Sequence, residues 1–218
     1  MTFVQSQTEM TTAVTDLVLT LVSLFAILWL LRTGTDQTWK RGLWIGMLAL
    51  LAVSGVLGAG AHGLVMTDEV HEDLWRVLNL LLILLITCFG MAAILDRLGP
   101  TWMFRLGPLL LALGLGVYAS LYLLGGTFLQ VILYEGVVMA SALGIYVHLA
   151  WRRADTGFWM IAVGLAITIV AAVAQAQGAM RFRLIWEFDH NGIFHLIQIL
   201  GIPVLIRGVV MTLGSARR

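Results

Sequence analysis

The chain has 218 residues, of which 60% are hydrophobic and 11% charged, with a net charge of +1. That composition excludes an ordinary soluble domain, and the near-neutral charge gives no reason to expect a nucleic-acid partner. The single cysteine, Cys88, lies in an apolar run, which excludes an internal disulfide and a cysteine-based metal site.

The first twelve residues are polar and carry one charge, Glu9. They lack a basic n-region, so they do not read as a cleaved signal peptide, and no lipidation motif accompanies them. A membrane helix needs about 20 mostly apolar residues. The first predicted span runs from Ala13 to Leu31 and stops at Arg32-Thr33-Gly34. The second runs from Leu43 to Val65, and an acidic loop, Met66 to Asp73, follows it. The third covers Leu74 to Leu95 and ends at Asp96-Arg97, before the turn signal Gly99-Pro100. The fourth is Leu106 to Leu124, the fifth Phe128 to Trp151, and the sixth Phe158 to Ala176. A loop with Arg181 and Arg183 leads to the seventh, Asn191 to Met211. The predicted fold is all-α: one seven-transmembrane-helix bundle spanning residues 1–218, with no room for a soluble domain.

Seven spans put the two termini on opposite sides. The side of the C-terminus carries Arg32, Lys40, Arg41, Arg97, Arg105, Arg152, Arg153, Arg217 and Arg218, with Arg207 nearest to it. The other side has only Arg76, Arg181 and Arg183. The positive-inside rule places the N-terminus outside and the C-terminus in the cytoplasm, as in a bacterial inner membrane protein. Tryptophans near the span ends, Trp44 among them, fit interfacial belts. The glycines of the second span, Gly55, Gly58, Gly60 and Gly63, read as close helix packing.

Polar groups gather in the outer leaflet. His62 closes the second span, and Asp73 sits at the start of the third, where it reads as a helix N-cap or as a catalytic carboxylate. The seventh opens Asp189-His190-Asn191-Gly192-Ile193-Phe194-His195. If Asp189 or His190 caps that helix, Asn191 and His195 are one turn apart, about 40° around the axis. His190 and His195 are roughly 140° apart, so His190 joins His195 only from an unwound edge. Ionisable groups at this depth are expensive and usually functional. Histidines and a carboxylate on separate helices have the chemistry of a catalytic zinc site, with a water as the fourth ligand. The plainer alternative is a hydrogen-bonded polar cluster that ties helices two, three and seven together. His71 reads as a solvated loop residue and His148 as interfacial. Glu135, Gln175, Gln177, Gln198 and Arg207 are further polar groups within the spans, and structural pairing is the first reading for Glu135.

His62, Asp73 eleven residues later, and a seventh helix opening Asn-Gly-Ile-Phe-His together resemble the CREST superfamily. These are seven-helix membrane proteins that include alkaline ceramidases, adiponectin and progestin receptors, and hemolysin III proteins. The resemblance implies a metal-dependent hydrolase with His62 and His195 as zinc ligands and Asp73 orienting or activating the zinc water. Two positions depart from the pattern. The first histidine of the family's seventh-helix pair falls on Asn191, so His190 would have to serve as third ligand. The family's serine one turn before the second-helix histidine falls on Gly58, with Ser54 a further turn away. The chain then reads either as a divergent hydrolase cleaving a lipid amide, ceramide-like or N-acyl, or as a member that has lost zinc. The alternative is a receptor, transporter or lipid-binding protein using the same pocket. A retinal protein is disfavoured because the sole lysine, Lys40, lies before the second span, and a haem cytochrome lacks a second histidine pair.

Overall fold

The computed structural model describes residues 2–214, so Arg217 and Arg218 lie outside the described residues. Seven helices alternate in direction: α1 (Gln7–Arg32), α2 (Thr38–Gly63), α3 (Asp68–Leu98), α4 (Pro100–Leu123), α5 (Leu129–Arg153), α6 (Thr156–Ala176) and α7 (His190–Gly214). All seven are long and apolar enough to cross a membrane. The chain is an all-α seven-helix integral membrane protein.

The helices outrun the apolar spans because polar residues cap them. Ser6 accepts from the Glu9 amide at the start of α1, and Asp155 accepts from the Gly157 amide, 2.7 Å, at the start of α6. Thr67 caps α3, so the stretch expected as an acidic loop is its first two turns. Asp73 is therefore not the N-cap. Gly99, at φ 87°, turns the chain between α3 and α4, and Pro100 starts α4, where its missing N–H costs nothing. Between α6 and α7 the chain forms a small antiparallel hairpin, β1 (Phe182–Arg183) and β2 (Glu187–Phe188), which the sequence had not signalled.

The helices form a ring in the order α1, α2, α3, α5, α6, α7, with α7 closing on α1. Helix α4 stands outside it against α3, burying little beyond Met103, Gly107 and Gly114. In lipid, helices are held by close packing and interhelical hydrogen bonds rather than by water exclusion. Both occur here. A side chain at Gly208 would meet the Gly157 carbonyl and the Ile161 amide at 2.6 Å, so α6 and α7 touch backbone to backbone. Thr168 on α6 donates to Gln198 on α7 (3.1 Å), and Thr87 pairs with Tyr134 between α3 and α5 (2.7 Å). The largest apolar core, around Leu30, Trp44, Tyr146, Ile161 and Ile206, is fully enclosed. Trp44 belongs to it, edge-on to Phe89, and not to an interfacial belt.

One end of the bundle gathers the loops α1–α2, α3–α4 and α5–α6 and the close of α7, and it carries most of the cations. We call it the basic end. At the opposite end α1 begins, α2 finishes and α7 begins, and there the polar residues converge.

Candidate functional site

Helix α1 brings a polar stripe into the membrane. Thr12, Asp16 and Thr20 recur every four residues, so they share one face, with Thr15 beside them. That face meets α2 and α7. Asp16 is buried, its side chain 7% exposed, and its Oδ1 lies 3.3 Å from Nε2 of His195 on α7. Its Oδ2 has no hydrogen-bond partner among the described residues. The carboxylate fits there because α2 has no side chain at Gly58, where an added Cβ would come within 2.7 Å of Oδ2.

The other ring nitrogen of His195, Nδ1, is 3.1 Å from Thr15 Oγ1. The Thr15 hydroxyl is within reach of the Thr11 and Thr12 carbonyls of its own helix, 3.0 and 2.9 Å, and its single proton is satisfied there. Thr15 Oγ1 then accepts, which assigns a proton to Nδ1; Nε2 faces Asp16 Oδ1, and the two hydrogen-bond only when they share a further proton, carried by either the ring or the carboxyl. The result is a buried hydroxyl–imidazole–carboxylate run across the α1–α7 contact. Its supports are close by. Asp189 Oδ1 caps α7 by accepting from the Asn191 and Gly192 amides, 3.0 and 2.9 Å, and also takes the Thr12 hydroxyl at 3.2 Å. The Thr11 hydroxyl donates to the Glu187 carbonyl at 2.7 Å, tying the hairpin to α1.

His62 closes α2 above this run, its side chain 12% exposed. Its Nδ1 is 2.6 Å from Oε2 of Glu9, whose side chain is 39% exposed. Accessibility therefore falls in steps from Glu9 through His62 and His195 to Asp16.

The residues expected from the sequence divide accordingly. His62 and His195 are both at this end and inside the bundle. Asp73 is not with them: it sits in the second turn of α3, its side chain 64% exposed and ion-paired to Arg76 at 3.1 Å. Arg76 also binds Glu72 at 2.6 Å, so Asp73 belongs to a surface i, i+3, i+4 cluster. His71, expected in a loop, lies on α3 and accepts from the Trp75 indole at 3.1 Å. His190 is the first residue of α7, and its side chain makes no hydrogen bond or ion pair among the described residues. Asn191 accepts from Gln175 on α6 at 2.9 Å, a structural tie between the two helices. Ser54 is buried two turns below His62, its hydroxyl without a partner among the described residues. Glu135 is half-buried on α5, whose neighbours are α3, α4 and α6, away from this site.

The spacing of Asp16 Oδ1 and His195 Nε2 is that of two ligands on a tetrahedral zinc, about 3.3 Å for bonds of about 2.0–2.1 Å. A catalytic zinc needs three protein ligands. Among the described residues no three of His, Cys, Asp and Glu are grouped to hold a metal ion. The donor set His62, His190 and His195 is not assembled, and the residues present do not fit the zinc that the resemblance implies.

Asp16 is the residue the sequence reading passed over. An aspartate four residues from a threonine on either side, within an apolar span, was the available signal. No curated protein and no solved structure matches the chain. The sequence profile of a family of unknown function, DUF6962, matches residues 11–213, from the polar stripe of α1 to the end of α7, and the chain belongs to that family.

Proposed function

We propose that the protein is a membrane-embedded hydrolase of a lipid amide, and that Asp16 and His195 form its acid–base pair. The observation that carries this reading is the buried Thr15–His195–Asp16 run. Keeping a carboxylate and an imidazole inside a membrane bundle is expensive, and such pairs mark sites of function. Asp16 takes the role expected of Asp73. In the reaction, the pair accepts a proton from water as the water oxygen bonds to the carbonyl carbon. The same proton passes to the leaving nitrogen as the C–N bond breaks, so the pair ends as it began. Thr15 holds the imidazole in register and is not the nucleophile, since its own proton is bound to helix carbonyls. By the positive-inside rule the basic end is cytoplasmic and the site lies in the outer leaflet. The substrate is then a lipid of that leaflet, and the resemblance to ceramidases points to an N-acyl lipid.

One observation favours a second reading. Among the described residues the donor set is one ligand short for zinc, and Thr15, the hydroxyl that contacts His195, is held by helix carbonyls and not free to attack. A protein that binds a lipid headgroup at this site without cleaving it needs neither. The discriminating experiment is hydrolysis of a panel of N-acyl lipids in bilayers by the wild type and Asp16→Asn. Asn keeps the shape but cannot relay a proton, so turnover should fall roughly 10²–10⁴-fold. Equal turnover by a folded Asp16→Asn removes the acid–base role. A wild type that retains a lipid but cleaves none makes the binding reading the better one.

A further inference from the structure

The basic end holds a second built site, separate from the Asp16–His195 pair. A cleft of about 380 Å3 opens between the starts of α2 and α6 and the ends of α3, α5 and α7. The chain's only lysine lines it. Lys40 is buried, and its ammonium lies 2.7 Å from Asp96 Oδ1, with side chains only 4% and 6% exposed. The other Asp96 oxygen accepts from Tyr146 at 3.2 Å, so both oxygens of this carboxylate are engaged. An ammonium has three N–H donors. Beyond Asp96, Lys40 lies 5.1 Å from the centroid of the Phe158 ring and within electrostatic reach of Asp155 and Arg153, and no second hydrogen-bond acceptor for it lies among the described residues. Arg153 lies 5.2 Å from the same ring and, among the described residues, spends a single N–H, on the Asp96 backbone carbonyl at 3.4 Å. The cleft therefore presents two cations with donors to spare. Asp155, also on its wall, is held by the Gly157 amide.

We infer that this cleft binds an anionic phosphate group. A phosphate can take the free Lys40 donors as a point charge and the Arg153 fork in a bidentate pair. Long-range charge agrees, since Arg32, Arg41, Arg97 and Arg105 lie at the same end of the bundle, where Asp36, Asp96 and Asp155 are the carboxylates among the described residues. So does depth. The exposed Trp39 packs edge-on with Phe104, and Arg105 lies over Trp102, which are interfacial residues at the level where headgroup phosphates sit. The phosphate can belong to an anionic phospholipid or arrive free in solution.

The test is native mass spectrometry of the full chain in detergent with added phosphatidylglycerol, phosphatidylcholine or inorganic phosphate. Retention of phosphatidylglycerol about tenfold above phosphatidylcholine supports the site, as does loss of that preference in Arg153→Gln. Arg153 is exposed, so the variant should fold. Arg152→Gln, which changes an exposed neighbour outside the cleft, should keep the preference. Displacement of the lipid by millimolar inorganic phosphate identifies free phosphate as a sufficient ligand, and no displacement identifies the lipid. Equal retention of both lipids overturns the proposal. So does an undiminished preference in Arg153→Gln, or an equal loss in Arg152→Gln and Arg153→Gln.

Discussion

Gly58→Ala tests the geometry of the Asp16–His195 pair without assuming any reaction. An added Cβ would stand 2.7, 2.9 and 2.9 Å from Oδ2, Cγ and Oδ1 of Asp16, where ordinary contact begins at 3.4 Å. The nearest oxygen, Oδ2, must retreat by about 0.7 Å, and because the carboxylate moves as a unit, the 3.3 Å contact of Oδ1 with His195 is disturbed with it. Overpacking of this size costs about 1–3 kcal/mol. Alanine is intrinsically the better helix former by about 1 kcal/mol, which acts in the opposite direction. The sign of the outcome therefore depends on the carboxylate. In the wild type, Gly58→Ala should lower the unfolding midpoint, with each kcal/mol worth about 2–4 °C for a chain of this length. In an Asp16→Ala background the obstruction is gone, and the same substitution should be neutral or stabilising. The coupling between the two sites is then about 1–3 kcal/mol, read from a double-mutant cycle by thermal unfolding in one detergent. Equal shifts in the two backgrounds would refute the reasoning, because Asp16 would then not occupy the space that Gly58 leaves.

Three further outcomes follow from the same contacts. Asp73→Asn should leave stability and any lipid turnover within twofold of wild type, because Asp73 only joins an exposed ion pair with Arg76, worth about 0–1 kcal/mol; a loss of a hundredfold in turnover would restore Asp73 to the site. Thr15→Val should cost about 1–3 kcal/mol by leaving the buried Nδ1–H of His195 without its acceptor, while Thr15→Ser should recover most of it; thermal unfolding of the pair of variants checks this. Lys40→Met should cost about 3–5 kcal/mol by stranding Asp96, and Lys40→Met/Asp96→Asn should regain most of that, which urea titration can read.

The sequence made the frame legible because length and hydropathy decide membrane spans almost alone. Its seven spans match α1 to α7 one for one. The ends were misjudged where polar caps extend a helix past its apolar run: Thr67 starts α3 well before Leu74, and that shift turns Asp73 from an N-cap into a surface residue. Local spacing could not reveal it, because Thr67 and Asp73 are both acceptable caps. His62 and His195 were found because histidines are rare in apolar spans, and the structure does bring them to the same end. Asp16 was missed for a physical reason as well. Its partner lies 179 residues away on α7, and only the ring closure of α7 onto α1 makes the contact.

The departures from the resembled pattern then have a joint explanation. Under the resemblance, Gly58 stands where a hydroxyl was expected and Asn191 where a metal ligand was expected. In the folded chain Gly58 is the gap that admits the Asp16 carboxylate, and Asn191 serves as the acceptor that holds Gln175 of α6. Thr15 and Thr12 support the same arrangement, since one contacts the ring of His195 and the other steadies the Asp189 cap from which α7 starts. Glycine at 58 and aspartate at 16 are thus one feature in two pieces. A hydroxyl side chain at 58 and the Asp16 carboxylate would compete for the same volume, so a chain of this fold can keep one or the other beside His195. That exclusion is steric, and it holds whether the pair moves a proton during hydrolysis or fixes a lipid headgroup in place.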